Sequence, residues 1–318
     1  MKNRREFLFI YDVSDANPNG DPDDNKPRID EETGINYVRD ARLKRTIRDQ
    51  IMEMNLGEGY EVFLREEVND NGELLTRKDL FNMYNSYDEI LRRCIDIRLF
   101  GGTFAIKKDK KKNKGEDNQE DANVESKEFI GPVQFKFGRS LHKVKVETVK
   151  GTSLLPSSEG KKQGTITETY IIPYSLITFY GIANEKAAKK TMLTDSDIDI
   201  MLKAMWIGHK ASTDVITGSK FGHYPRVLIE IIYNEKIYSH IGELDKLVKI
   251  ETNIEDKKIR DIEQVTLDFT KLKDKVQKNK HKIKKVRYII DDRVKINPTI
   301  KEIFEGIEVV EFDWASEV

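Results

Sequence analysis

The sequence has little or none of three features that mark whole classes of protein: cysteine, long apolar runs and an excess of one charge sign. Its single cysteine, Cys94, allows no intrachain disulfide and no multi-cysteine metal site. No stretch approaches the ~18 apolar residues of a membrane-spanning helix, so no membrane partner is expected. The apolar residues 7–11 end at Asp12 and are too short for a signal peptide. Together these absences predict a cytoplasmic protein.

The charges of the chain almost cancel. Lysine and arginine number 55, aspartate and glutamate 56, and the formal net charge is −1. This balance argues against an architectural protein that coats nucleic acid with a uniformly positive surface. A local basic groove remains possible, because electrostatic attraction depends on where charges lie and not on their sum. The length of 318 residues fits two domains or one large domain with insertions.

Hydrophobic periodicity predicts an α+β fold. Residues 7–13 alternate as a buried strand does, and residues 38–54 carry an apolar stripe at helical spacing. Further on, Thr194 and Asp197 form the capping box of a second helix. Strand-like segments occupy residues 132–149, 165–182 and 226–233. Without its insertions the chain therefore has the order βαββαβ, which is the ferredoxin-like arrangement that includes the RRM fold.

One segment of this core is predicted to be an insertion, at residues 60–140. Inside it, residues 107–114 hold six lysines and one aspartate, and residues 115–128 hold six acids and one lysine. These blocks cancel and contain no aromatic residue. Their composition predicts that residues 107–128 are a mobile low-complexity tract.

The polar loop that follows the first strand is the first candidate site. Residues 15–20 place acids or amides at the first, third and fifth positions and glycine at the sixth, as a calcium-binding EF-hand loop does. The match fails at the twelfth position, where Lys26 replaces the required glutamate, so no metal is expected here. The loop is either a tight turn or a place where Asn17 and Asn19 position a phosphate-bearing ligand.

A basic face on the first helix is the second candidate. Lys44, Arg45 and Arg48 project from one side, with Arg39 and Arg42 nearby. Phosphate contacts in nucleic-acid complexes come mainly from arginine and lysine. The alternative is an ordinary solvated helix face, and charge alone does not decide between the two.

A third cluster in sequence contains His209, Ser212, Asp214, Ser219 and His223. It lacks the Gly-x-Ser-x-Gly elbow of serine hydrolases and the His-Glu-x-x-His spacing of zinc enzymes. No catalytic role is therefore expected of it. The short run Gly218, Ser219 and Lys220 lacks the upstream glycines of a nucleotide-hydrolase loop, but its amides and lysine can still hold a phosphate.

Two further features have a structural and a functional interpretation. Trp206 and the tyrosines of residues 170–180 could stack on bases, but their apolar surroundings favour the core. Residues 271–287 hold nine lysines and arginines against the single acid Asp274. This segment is either a nucleic-acid surface or an exposed run of solvated charge.

Several motifs together resemble one known family. They are Asn-Pro-Asn-Gly-Asp-Pro-Asp at 17–23, Asn-Lys-Pro-Arg-Ile-Asp at 25–30, Thr-Gly at 33–34, Asp-Ala-Arg-Leu-Lys-Arg-Thr-Ile-Arg-Asp at 40–49, Arg-Leu-Phe-Gly at 98–101 and Gly-Pro-Val-Gln-Phe at 131–135. The chain resembles the Cas-seven family, the backbone subunit of type I CRISPR Cascade complexes, and is most similar to the subtype I-B branch. The likeness extends over about residues 5–240.

The resemblance implies a single RRM-like palm for residues 1–318. In this division residues 60–140 are a fingers insertion, residues 143–172 a thumb hairpin and residues 245–318 a C-terminal extension of the palm. The family's RNA-contacting positions correspond to Arg39, Arg42, Lys44, Arg45 and Arg48 on the first helix, Lys161, Lys162 and Gln163 near the thumb tip, and the loop of Gly218, Ser219 and Lys220. With Asn17 and Asn19 they form the predicted RNA-binding set.

The resemblance also implies function and partners. The chain is expected to bind a CRISPR guide RNA, to form a helical filament with further copies of itself, and to join Cas-five-type, large and small subunits in antiviral defence. It would meet target DNA through the guide. No enzymatic activity, cofactor or metal is expected. The alternative is a metal-dependent nuclease or RNA-processing enzyme of the same fold, using the Asp-rich loop with His209 or His223.

Overall fold

A computed structural model describes residues 1–107, 124–152, 166–210 and 218–317 of the chain. The predicted thumb-tip residues Lys161, Lys162 and Gln163 lie outside these ranges, as does most of the predicted mobile tract 107–128. Residues at the two ends of that tract belong to paired strands, because Gly101–Lys107 is antiparallel to Val124–Ile130. Within the described ranges, no helix has the length and apolar composition that crossing a membrane requires.

The elements follow one another in chain order. The strands are β1 (Arg5–Ala16), β2 (Ile29–Asp30), β3 (Ile35–Val38), β4 (Gly101–Lys107), β5 (Val124–Ile130), β6 (Val133–Phe135), β7 (Gly138–Lys143), β8 (Glu147–Thr152), β9 (Ile166–Ala183), β10 (His223–Tyr233), β11 (Lys249–Glu251), β12 (Thr266–Asp268), β13 (Ile283–Ile290), β14 (Lys295–Asn297) and β15 (Glu308–Glu311). The helices are α1 (Asp40–Met54), α2 (Arg77–Asn82), α3 (Tyr87–Arg93), α4 (Ile95–Phe100), α5 (Glu185–Thr191), α6 (Asp195–Ile207), α7 (Thr270–Asn279) and α8 (Ile300–Ile303). This mixture confirms the predicted combination of helices and sheets.

The main sheet is built around β1. Its strand order is β15-β13-β10-β1-β9-β7-β3-β2, and β6 and β8 also pair with β9. β1 is antiparallel to β9 on one side and to β10 on the other, and β9 is antiparallel to β6 and β7. In chain order, α1 lies between β1 and β6, and α6 connects β9 to β10.

Helices α1 and α6 cover one face of this sheet. Phe7, Phe9 and Tyr11 of β1 point to that face and pack in one cluster with Leu43 and Ile47 of α1 and with apolar side chains of α6. The predicted capping box is confirmed at the start of α6, since the Thr194 hydroxyl accepts from the Asp197 amide and the Asp197 carboxylate accepts from the Thr194 amide. The predicted first helix is confirmed as α1, within two residues of its expected start.

The C-terminal segment covers the opposite face. Leu8 and Ile10 of β1 belong to a second apolar cluster with side chains of the segment 244–304, including Leu272 and Val276 of α7. Each residue of β1 from 5 to 13 is buried, because alternate side chains enter the two cores. This placement explains why the apolar run of β1 is almost continuous.

The segment between α1 and β6 is attached to α6 by Arg98. Its guanidinium is buried, forms two hydrogen bonds of 2.7 and 3.0 Å with the Asp197 carboxylate of α6, and donates to the carbonyls of Gly59, Leu91 and Arg92. Just after it, Gly101 has a φ of 71°, and a Cβ there would lie 2.0 Å from the Phe129 carbonyl oxygen. The Arg-Leu-Phe-Gly motif is therefore explained by packing.

Candidate nucleic-acid interface

Three segments meet at the carboxyl end of β1: the polar loop 17–28, the first turn of α1 and the loop that enters β10. The antiparallel pairing of β1 with β10 brings the last two residues before β10 against Ser14. The Ser14 amide donates to the Gly222 carbonyl over 2.8 Å. A Cβ at Gly222 would lie 1.8 Å from the Ser14 carbonyl oxygen, so only glycine permits this approach. Sequence reading did not single out Gly222.

The two predicted asparagines organise this junction. The Asn19 side-chain oxygen accepts from the Arg39 amide over 3.0 Å, which fixes the residue that precedes α1. Asn17 is buried and donates its side-chain amide to the Asn25 carbonyl over 2.7 Å. Its Oδ1 atom has no hydrogen-bond partner within the described ranges. A buried acceptor without a partner is costly, and a ligand donor or water at this position would satisfy it.

Lys220 joins the junction from the β10 side. It lies in the 3₁₀ turn Gly218–Lys220, and its ammonium donates to the backbone carbonyl of Asn17. Burial, together with the nearby Arg42 guanidinium, lowers its pKa to about 8. The structure thus brings together Asn17, Asn19 and Lys220, which are up to about 200 residues apart in sequence.

Arg42 is the most buried of the basic side chains at the junction. It lines a small cavity together with Tyr11, His209 and His223, and donates to the Thr46 hydroxyl over 3.2 Å. No carboxylate of the described residues forms an ion pair with it. Burial lowers the pKa of Arg42, and the Asp49 carboxylate opposes this shift without forming an ion pair. Arg39 is exposed at the same end of α1.

The other predicted basic residues of α1 have partners within the protein. Lys44 pairs with Asp40 over 2.9 Å, and Arg45 pairs with Asp49 and Glu66. Arg48 contacts the fully buried Asp96 over 2.9 Å. The predicted basic face is therefore divided: Arg39 and Arg42 lie at the junction, whereas Lys44, Arg45 and Arg48 face towards carboxylates.

His209 and His223, which are 14 positions apart in sequence, come together behind this junction. Their rings stack 6.3 Å apart, and both rings also contact Tyr11. The Nδ1 atom of His209 pairs with the Met205 carbonyl over 2.8 Å, while Nε2 of His223 has no partner among the described residues. Burial lowers the pKa of His209 to about 4 and also that of His223. The pair is thus neutral near pH 7 and adds no charge of its own.

These histidines predict an acid-sensitive fold. The folded-state pKa of His209, about 4, lies below the ordinary value of 6.5. Its contribution to stability is therefore fully present above pH 6.5 and is lost as the pH falls towards 4. At about pH 5 we expect His209 to account for about 2 kcal/mol of lost unfolding free energy.

Urea unfolding of the chain and of His209→Gln, at about pH 7 and about pH 5, checks this. Glutamine keeps an N–H donor for the Met205 carbonyl but does not titrate. The variant should lose less unfolding free energy between the two pH values than the unaltered chain. Equal losses in both proteins would show that another group is responsible.

One aspartate that precedes the Asp-rich loop is directed away from the two histidines. Asp12 points to the opposite face of the sheet, where it accepts from Tyr174 and from Arg226. Burial raises its pKa to about 6. Among the residues that the structure describes, no group of three or more histidine, cysteine, aspartate or glutamate side chains could hold a metal ion.

Three tyrosines of the described strands lie on the face of the sheet away from α1 and α6. Tyr174, Tyr180 and Tyr233 are buried beneath the C-terminal segment. The hydroxyls of Tyr180 and Tyr233 both donate to the buried Glu6 carboxylate. Trp206 is buried in the core between the helices and the sheet. The core interpretation is confirmed for Trp206, Tyr174 and Tyr180, whereas Tyr170 is half-buried outside the apolar clusters.

The structure describes part of residues 143–172, the segment predicted to be a thumb hairpin. β8 is antiparallel to the start of β9, in a register from Glu147 opposite Ile171 to Thr152 opposite Ile166. The hairpin stem thus falls within residues 143–172, and the predicted contact residues at its tip lie outside the described part of the chain. Their role in RNA binding stays a prediction, as does the division into palm, fingers and thumb.

Three comparisons place this geometry among known proteins. The family model for CRISPR-associated protein Cas7 matches residues 3–270. The CRISPR-associated protein Cas7 of Haloferax volcanii is 28% identical over 311 residues, which cover 93% of this chain and 89% of that protein. A solved chain titled as a CRISPR RNA-guided surveillance complex, pre-nicking, aligns with a TM-score of 0.52 at 10% identity and covers 95% of this chain and 98% of its own length. At that identity the last comparison shows a common fold alone.

Proposed function

Because the chain belongs to the family of CRISPR-associated protein Cas7, we propose that it is a guide-RNA-binding backbone subunit of a type I CRISPR surveillance complex, most similar to the I-B branch. The observation that carries this proposal is the junction at the end of β1. There Arg39, Arg42 and Lys220 stand together without carboxylate ion pairs in the described ranges, beside the unpartnered Oδ1 of Asn17. Cationic side chains without ion-pair partners are suited to binding an anion.

We further propose that the palm is an RRM-like, ferredoxin-like domain. The supporting observation is the antiparallel order β10-β1-β9-β7, in which α1 follows the first strand and α6 precedes the last. This is the strand order 4-1-3-2 expected of a βαββαβ unit, with β7 and β6 together in the place of the second strand.

The chemistry of the junction favours contact with the guide's phosphate backbone. Its cationic groups are arginine and lysine, and the 3₁₀ turn of Gly218–Lys220 adds backbone amides. Phosphate contacts fix position and register but carry no base identity. The RRM surface that stacks bases is covered by the C-terminal segment here. Such a subunit leaves sequence recognition to base pairing between guide and target.

Assembly follows from the same role. Further copies of the chain would line up along one guide as a filament, with Cas-five-type, large and small subunits at its ends and side, and target DNA would be met through the guide. The near-zero net charge suits this role, because each copy needs acidic surface for its neighbour as well as basic surface for RNA. We propose a cytoplasmic location and no catalytic activity.

Co-expression with a matching CRISPR array tests the proposal. The chain is purified in high salt, and the RNA that remains bound is sequenced and compared in mass with the protein. Guides of uniform length with several protein copies on each are the expected result. Random host RNA of mixed length would contradict the assignment, since a generic binder makes no such selection.

The nuclease alternative has its own measurement. Adding Mg²⁺ or Mn²⁺ to the purified chain with labelled guide RNA should leave the RNA intact. Cleavage that requires the metal and is lost in His209→Gln or His223→Gln would overturn the proposal of a non-enzyme.

A further inference from the structure

A marked charge asymmetry lies away from the guide junction, on the C-terminal segment. From Lys271 to Lys285 the sequence has eight lysines and one acid, Asp274. Helix α7 buries Leu272 and Val276 against the sheet face opposite α1 and α6. The lysines of α7 are thus on the other side of the sheet from Arg42, and the guide-binding role leaves them without an assignment.

Most of these lysines lack an acidic partner. Lys285 pairs with Glu308, and Lys282 donates to the Asn279 side chain. Lys271, Lys275 and Lys278 are exposed, and no carboxylate in the described ranges forms an ion pair with them. Some exposed lysines elsewhere are ion-paired, such as Lys246 with Glu243 and Lys258 with Glu255. An uncompensated cluster of this kind attracts a polyanion.

The spacing of the cluster suits a row of phosphates. Lys271, Lys275 and Lys278 are separated by four and three residues, so they share one side of α7. At 1.5 Å per residue they extend over roughly 10.5 Å of the helix axis. Phosphates along one strand rise by about 3.4 Å per nucleotide, so the row spans about three of them.

The side chains around the lysine row indicate whether it suits double-stranded or single-stranded nucleic acid. Proteins that bind single strands combine basic residues with aromatic side chains that stack on bases. The described residues from Lys271 to Arg287 include no phenylalanine, tyrosine or tryptophan, and no large apolar side chain is exposed there. Lysine side chains without aromatic neighbours contact phosphates and do not stack on bases. Binding to the backbone of a duplex requires only such phosphate contacts.

We propose that the lysine row of α7, with the turn that follows it, binds the phosphate backbone of double-stranded nucleic acid, independently of the guide junction. The contact is electrostatic and carries no sequence preference. It leaves the guide on one side of the sheet and holds a duplex on the other.

The test compares two triple variants of the full-length chain that remove the same charge. One is Lys271→Ala, Lys275→Ala and Lys278→Ala; the other is Lys145→Ala, Lys246→Ala and Lys258→Ala, whose lysines are exposed and already ion-paired. Binding of a labelled DNA duplex, an RNA duplex and a single-stranded RNA is measured by fluorescence anisotropy over a range of salt. Thermal unfolding of both variants confirms that they are folded.

We expect the α7 variant to bind duplex about tenfold or more weakly in low salt, with a salt slope lower by up to about 2.7. The control triple should bind as the unaltered chain does. A similar loss of affinity for the DNA and the RNA duplex would mean that the lysine row contacts the phosphate backbone. A loss of affinity confined to the DNA duplex would mean that the geometry of the duplex also contributes. Equal weakening in the two triples, or equal weakening for single-stranded RNA, would overturn the proposal.

Guide retention separates this inference from the proposed function. In the array co-expression, the α7 triple should keep its guide through the same salt wash as the unaltered chain. Loss of the guide would place the row in the guide site and overturn its independence. Failure of every chain to recover a guide would contradict the proposed function while leaving the duplex measurement to stand on its own.

Discussion

A chain with both Arg42→Gln and Lys220→Gln is expected to release its guide RNA in salt that the unaltered chain withstands. A hydrogen bond to a charged group contributes about 1.5–3 kcal/mol. Two lost phosphate contacts should therefore weaken guide binding on the order of a hundredfold or more. The slope of log affinity against log salt should fall by at most about 1.4, since each contact to a single strand contributes about 0.7.

The structural reason is that neither Arg42 nor Lys220 forms an ion pair with a carboxylate in the described ranges. Both side chains are half-buried at the junction, and this loss of solvation lowers the pKa of each group. A phosphate would compensate both charges at once. Glutamine keeps a donor near the Thr46 hydroxyl and the Asn17 carbonyl, so the local packing is preserved.

The matched control is Lys44→Gln with Arg45→Gln, on the same helix and with the same charge change. These side chains already pair with Asp40, Asp49 and Glu66. Each would have to leave a carboxylate before it met a phosphate, so we expect a smaller loss of affinity. Guide binding is measured by filter retention over a range of salt, with Lys220→Gln alone as a milder variant. A larger loss of affinity in the Lys44 and Arg45 variant would mean that the guide contacts those two residues of α1 and not Arg42 and Lys220.

The second large effect concerns stability. Replacing Arg98 with methionine is expected to lower the unfolding free energy by about 3–5 kcal/mol. Methionine fills the volume but leaves the Asp197 carboxylate buried without its cation. It also removes the donors to the carbonyls of Gly59, Leu91 and Arg92. Whole domains are stable by only about 5–15 kcal/mol, so the variant should unfold in much less urea.

Arg293→Met provides the comparison. Arg293 also binds a carboxylate with two hydrogen bonds, but both Arg293 and its partner Asp261 are solvent-exposed. Exposed pairs contribute about 1 kcal/mol or less. Urea unfolding of the two variants in the same buffer gives the difference directly. Equal destabilisation would mean that the burial of Arg98 adds nothing to the ion pair it makes.

Much of the fold could be predicted from local pattern. The alternation of β1, the apolar stripe of α1 and the capping box of α6 are properties of neighbouring residues, and each was recovered close to its predicted position. Most of the C-terminal segment consists of short strands and turns with little periodicity, so local pattern predicts few of its elements. Its position over the sheet depends on contacts between residues more than 200 positions apart.

The site was predicted only in part. Asn17, Asn19, Arg39, Arg42 and Lys220 share one junction, as the family motifs suggested. Spacing along α1 pairs Lys44 with Asp40 and Arg45 with Asp49, each four residues apart, but it does not separate Arg42 from Arg48. What separates Arg42 from Arg48 is Asp96 of α4, a carboxylate on another element that pairs with Arg48. No local sequence pattern indicates that Gly222 lies against Ser14 or that His209 and His223 stack on each other.

The sequence by itself therefore determined the types of the main elements, their order and the motifs that assign the family. Those features arise from short-range periodicity, caps and turn residues, which any reading of neighbouring positions can detect. The tertiary structure decided which charges are free. It paired Arg48 and Arg98 with buried carboxylates, left Arg42 and Lys220 without them, and covered the aromatic face of the sheet. The reason is physical: the availability of a charged side chain depends on its solvation and its nearest opposite charge, and both are set by residues distant in the chain.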